Sequence, residues 1–168
     1  MQNLSLFQAA KLTSPNPVSL VCTQKPDGTT NLATVASWTC ASFSPDMIVY
    51  VMAKTSYSGE LVRNNKKVVL TVPGAQLAQT VLDCGSTTGR DTDKVKAFGV
   101  QMKSIGDCPI QIPVHTRLAI VCSLKEYHET GDNYLYLCDV QEICGDESET
   151  PLFAWDGYSK IAPARLGE

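Results

Sequence analysis

Strand-length runs follow one another in this chain without the regular intervening helices that a parallel sheet needs. Residues 18–23, 31–43, 47–52, 68–72, 115–129 and 134–144 are rich in β-branched and aromatic residues or alternate apolar with polar ones. Turn chemistry joins some of them. Pro26-Asp27-Gly28 links the first two runs, because proline presets one dihedral and glycine accepts a positive one. Thr130-Gly131-Asp132-Asn133 links the last two as a hairpin. Run 47–52 is almost wholly apolar, which predicts a central position in the sheet. Three short helical patterns interrupt this order. The first covers 57–63, with Ser56 as its cap and Asn64-Asn65 as a left-handed stop. The others cover 75–83, with Leu77, Ala78, Val81 and Leu82 at four-residue spacing, and 91–98. Residues 6–12 read as weakly helical or irregular. A doubly wound sheet alternates strand and helix throughout. This order instead predicts a mainly β fold, an antiparallel barrel with short helical insertions, in one domain spanning 1–168.

The second run is the odd one. Ala33, Ala36, Ser37, Ala41 and Ser42 interleave there with Thr34, Val35, Trp38, Thr39 and Phe43. A strand that only filled a core would carry bulkier residues on its inner face. Small side chains let another flat surface approach the backbone. That surface is either a bound ligand or a sheet or helix in ordinary close packing.

Composition narrows the class. A net charge of −3 argues against nucleic acid as a partner, since phosphate backbones need a strongly basic face. No apolar run reaches the ~20 residues of a membrane helix. The start lacks a basic segment followed by a long apolar run, so no signal peptide is expected and the cytoplasm is. Seven cysteines are widely spaced without a C-x-x-C, which indicates neither a zinc ribbon nor a dithiol redox motif. Cys22, Cys40, Cys122 and Cys138 lie in apolar runs and read as buried, reduced thiols. With only His115 and His128, no metal site is expected.

Two segments suit a phosphate. Gly85-Ser86-Thr87-Thr88-Gly89-Arg90 is glycine-bounded and hydroxyl-rich, and it leads into a helix carrying Lys94. It is neither a P-loop nor a G-x-G-x-x-G, and a solvated loop is the alternative. Lys54-Thr55-Ser56 opens another helix and is otherwise an ordinary cap. Trp38 either stacks on a flat ligand or fills the core. No Ser-His-Asp or Cys-His grouping is legible, and the aspartates suit turns and caps, so no catalytic residue is assigned.

Taken in order, five motifs carry a resemblance. They are P-N-P-V-S-L-V at 15–21, D-G-T-T-N-L-A-T-V-A-S-W at 27–38, S-Y-S-G-E-L-V-R-N at 56–64, V-L-T-V-P at 69–73 and C-G-S-T-T-G-R-D-T-D-K at 84–94. Over residues 12–144 the chain resembles the flavin reductase-like family, and within it the flavoredoxin-type FMN-binding split-barrel proteins. The resemblance implies a Greek-key split β-barrel, a homodimer, and FMN held noncovalently near the dimer interface. It implies that Asn31, Thr34, Ala36, Ser37 and Trp38 line the isoalloxazine ring. Thr55, Ser56 and Ser58, with Lys94 and Arg90, would surround the phosphate, and Thr88 and Gly89 would assist through the loop. In the family a histidine often follows the Gly-Asp of the late hairpin. Here Asn133 stands there, and nearby His128 is the candidate substitute. Tyr158 or Phe153 would cover the flavin. The implied activity is an FMN-dependent oxidoreductase using NADH or NADPH. The alternatives are a flavodoxin-like electron carrier fed by a redox protein partner, and a flavin-binding module without turnover.

Overall fold

The computed structural model describes residues 1–164. Its elements in order are α1 (Leu6–Leu12), β1 (Asn16–Pro17), β2 (Ser19–Gln24), β3 (Thr30–Val35), β4 (Trp38–Phe43), β5 (Asp46–Ala53), α2 (Tyr57–Asn65), β6 (Lys67–Pro73), a 3-10 turn (Ala75–Leu77), α3 (Ala78–Ser86), α4 (Lys94–Ala97), β7 (Met102–Lys103), β8 (Ile112–Pro113), β9 (Thr116–Thr130), β10 (Asn133–Gly145), β11 (Leu152–Trp155) and β12 (Lys160–Pro163).

Seven antiparallel strands form one sheet in the order β3-β2-β6-β9-β10-β5-β4. Its edge strands, β3 and β4, are consecutive in the chain and joined only by Ala36 and Ser37. A flat sheet of this width would hold its edges roughly 29 Å apart. The three Cα steps from Val35 to Trp38 reach at most about 11 Å. The sheet therefore has to roll up until its edges meet. Ser37 also continues the β4–β5 ladder by one rung, where the Val51 N–H donates to its carbonyl at 3.0 Å. The expected split barrel with short helices is thus present. The expected single strand over 31–43 is not: it is two strands on opposite sides of the seam.

Both faces of the middle strands are buried, which explains their continuous apolar runs. Inside the barrel, Val21, Val68, Leu70, Ile120 and Cys122 pack with Tyr50, Tyr136 and Val62 of α2. Outside it, Leu20, Cys22, Val69 and Ala119 pack with Val81 and Cys84 of α3 and with Leu152 and Ala154 of β11.

Several details differ from the sequence expectation. Run 47–52 lies one strand in from an edge, and its burial alternates along β5. Helix 57–63 stops at left-handed Lys66 (φ 60°), whose N–H reaches the Val62 carbonyl, rather than at Asn64-Asn65. Helix 91–98 shrinks to one turn, because the Asp93 carboxylate takes the Lys96 N–H and so caps it there. Residues 6–12 form a full helix, closed by a capping box of Ser5 and Gln8. The tail pairs with β1 as a small sheet of its own. Cys22, Cys122 and Cys138 are buried as expected, and so is Cys84. Cys40 is exposed, because β4 is an edge strand with an open face. Among the described residues, no helix is long and apolar enough to cross a membrane.

Candidate functional site

A cleft of about 900 Å³ opens where the two sheet edges meet. Its first wall is the end of β3 and the seam, Ala33 to Ser37. Three small side chains of the odd run, Ala33, Ala36 and Ser37, thus face the cleft, while Ala41 and Ser42 on β4 do not line it. Thr34 lends this wall rigidity, since its hydroxyl donates to the Val81 carbonyl of α3. The second wall is the start of α2. The Ser56 hydroxyl accepts from the Gly59 N–H at 3.2 Å, which leaves the Tyr57 and Ser58 N–H groups at the open helix end. The third wall is α3 and the residues after it, from Val81 to Gly89. Asn133 and the β11–β12 hairpin, through Ala154, Tyr158, Ser159 and Ile161, complete the rim.

Beneath the cleft one buried amide ties the walls together. Asn31 is 4% exposed. Its Nδ2 donates to the Ser58 hydroxyl at 2.7 Å and to the Thr23 hydroxyl at 3.3 Å. Gly89 rests directly on it: a Cβ there would lie 1.8 Å from Asn31 Oδ1. This glycine is required by close approach of the loop rather than by its dihedral.

The electrostatics are one-sided. No aspartate or glutamate lines the cleft among the described residues, and Lys94 is its one charged side chain. Burial holds the Lys94 ammonium below the usual lysine range, with the Cys84 thiol acting in the opposite direction. Burial pushes Cys84 itself up to about 11 against the pull of Lys94. Hydroxyls crowd the same surface. Those of Ser56, Ser58 and Thr88 accept from Gly59, Asn31 and Arg90, while Thr55 and Thr87 take no part in these bonds.

The structure brings Thr34, Ala36, Ser37, Thr55, Ser56, Ser58, Thr88, Gly89, Lys94 and Tyr158 together around this one cleft. Asn31 lies under it. Four other candidates stand outside its lining. Trp38 sits opposite Tyr50 on β4, where it packs on the barrel core, and its buried Nε1 has no partner among the described residues. Arg90 is ion-paired with Glu60 at 2.6 Å and lies 5.0 Å from the Tyr57 ring. His128 is exposed on β9, 3.5 Å from Glu126. Phe153 lies in β11 without lining the cleft. Sequence reasoning missed Tyr57, Leu82, Ser159 and Ile161, and it read Asn133 only as a departure. For Tyr57 a signal existed, since the residue after a helix cap shares the cap's open end. For the tail residues there was none.

Comparison with known proteins points one way. The family profile described as "Flavin reductase like domain" matches residues 12–162. A flavin reductase from Pseudomonas putida is 26% identical over 157 residues, covering 93% of this chain and 89% of that protein. The uncharacterized protein YddH of Escherichia coli is 26% identical over 98 residues, covering 58% of this chain and only 52% of YddH. Among solved structures, the NADH:FAD oxidoreductase SgcE6 of Streptomyces globisporus superposes with a TM-score of 0.84 at 13% identity, covering 99% of both chains. Flavoredoxin from Methanosarcina acetivorans superposes at 0.83 with 16% identity, covering 100% of this chain and 94% of that one. At such identities these two structures speak to the fold alone.

Proposed function

The chain belongs to the flavin reductase-like family, and from that premise we propose that it is an oxidoreductase holding FMN in this cleft, with NADH or NADPH as electron donor. The observation that carries the reading is the cleft's chemistry: a wall of small residues faces a hydroxyl-rich wall that holds, among the described residues, one buried cation and no carboxylate. A flat ring needs the first wall. A phosphate dianion needs the second, because a carboxylate there would repel it and a helix start attracts it. The volume lies near the upper end for small-molecule sites, which leaves room for a flavin and part of a second substrate.

In this reading Ala36 and Ser37 face the ring. Thr55, Thr87 and Thr88, with the free N–H groups of α2, hold the phosphate. Tyr158 covers the open side. Arg90 acts from outside, by bracing Tyr57. Neither histidine lines the cleft. The chain therefore contributes binding, orientation and shielding from water. The flavin, when bound, supplies the hydride and electron chemistry. A homodimer completing the open side, and a cytoplasmic location, belong to the same proposal.

Two measurements test it. Purified protein should take up added FMN and turn yellow, and anaerobic NADH or NADPH should bleach that colour. A protein that takes up no FMN sinks the reading. Bleaching only by a reduced redox protein makes the chain an electron carrier instead. Resistance to both donors makes it a flavin-binding module.

A further inference from the structure

Lys94 is placed in an unexpected way for a lysine in an anion site. Asp93 caps α4 and spends its charge outward, on Lys96 at 3.4 Å and Lys25 at 3.9 Å. Lys94, the next residue, turns inward and is 4% exposed. Its ammonium donates to the Leu32 carbonyl and to the Cys84 carbonyl, both at 2.8 Å. Two of its three N–H donors are thereby committed to main chain. Among the described residues it has no carboxylate partner.

Both carbonyls are ones the fold leaves without a ladder partner. Leu32 belongs to β3, an edge strand with one open side. Cys84 is in the last turn of α3, whose final carbonyls have no acceptor role within the helix. A cation at that end is also favoured by the helix dipole. A single ammonium thus bridges the small-residue wall to the end of the helix that leads into residues 86–89.

We propose that Lys94 is the positioning residue of the flavin site: it holds the hydroxyl-rich loop at a fixed spacing from the β3 wall and does not itself contact the flavin phosphate. This rests on the reading of the cleft as a flavin site. A residue that grips phosphate matters to FMN and not to riboflavin, which lacks the phosphate. A residue that sets the spacing of two walls matters to both alike.

The test is a titration of the full chain with FMN and with riboflavin, for the wild type, Lys94→Met and Lys94→Gln, with circular dichroism to establish folding. Lys94→Met should weaken both flavins by a similar factor, about tenfold. Lys94→Gln keeps two N–H donors without the charge. It should bind both flavins more tightly than the methionine variant, and it serves as the readout if that variant does not fold. A loss confined to FMN in either variant overturns the proposal, as does unchanged affinity for both flavins in a folded variant. If the wild type binds neither flavin, the flavin reading falls, and this proposal with it. If the wild type binds both and only the variant pattern differs, the positioning role alone falls.

Discussion

Gly89→Ala is expected to weaken FMN binding by about tenfold or more and to destabilise the fold by roughly 2 kcal/mol. The added methyl would lie 1.8 Å from Asn31 Oδ1 and 2.7 Å from its Cγ. A flexible surface side chain would swing away. Asn31 has nowhere to go, since it is buried and its amide holds Ser58 and Thr23. If the amide rotates, the Ser58 hydroxyl and the amide lose a buried hydrogen bond, which costs about 1–3 kcal/mol. If the loop retreats instead, Thr87 and Thr88 move off the anion-facing wall. Either way the link between β3, the start of α2 and the loop is broken. Gly28 provides the control. It has φ +83° with nothing within 4 Å of a built Cβ. Gly28→Ala should therefore cost about 1 kcal/mol of backbone strain and leave FMN affinity unchanged. Thermal melts and FMN titrations separate the two variants. A Gly89→Ala protein that binds FMN like the wild type would remove the Asn31 platform from the site.

Local chemistry was legible in the sequence, and closure was not. The turn at Pro26-Asp27-Gly28 and the late hairpin at Gly131 follow from turn residues alone, and both are present as β2–β3 and β9–β10. Ser56 caps its helix as its type and position required. The break at Ala36 and Ser37 was hidden because neither residue is a strand breaker. It follows from seven strands closing on themselves, which is a tertiary fact. Strand parity places His128 outside the lining of the cleft. It shares an outward face of β9 with Glu126, two residues away, so both point to solvent. Arg90 was drawn aside by Glu60, and no spacing along the chain announces that pair. Lysine beside glycine and hydroxyls suits a phosphate, which is the sequence expectation for Lys94. The two carbonyls that occupy it belong to a sheet edge and a helix end, and those become visible only once the sheet has an order.

Raising the pH from 7.5 to 10.5 under reducing conditions is expected to unfold the protein or nearly so. Cys22, Cys84, Cys122 and Cys138 are buried. Burial holds all four thiols above the ordinary thiol value, Cys84 up to about 11 and Cys138 up to about 12. In the unfolded chain each ionises from about pH 8.5. Between that value and its own raised value, a thiol stays protonated in the fold and ionised in the unfolded chain. Stability from these groups is thus fully present below about pH 8.5 and is lost as the pH climbs toward the folded values. Each thiol removes about 1.4 kcal/mol per pH unit in that window. Four thiols over two units remove on the order of 11 kcal/mol, against a typical total of about 5–15 kcal/mol. The lowered lysine value of Lys94 acts with the opposite sign, but it is one group against four. Tm measured at pH 7.5, 8.5, 9.5 and 10.5 should be nearly level at first and then fall steeply. In urea titrations, Cys122→Ala should make the alkaline fall of the unfolding free energy shallower, because one of the buried ionising thiols is gone. A Tm that stays level to pH 10.5 would mean that water reaches these thiols in the fold. The sulfur-lined core on either side of the sheet would then be far less tightly closed than the packing around Cys22 and Cys122 requires.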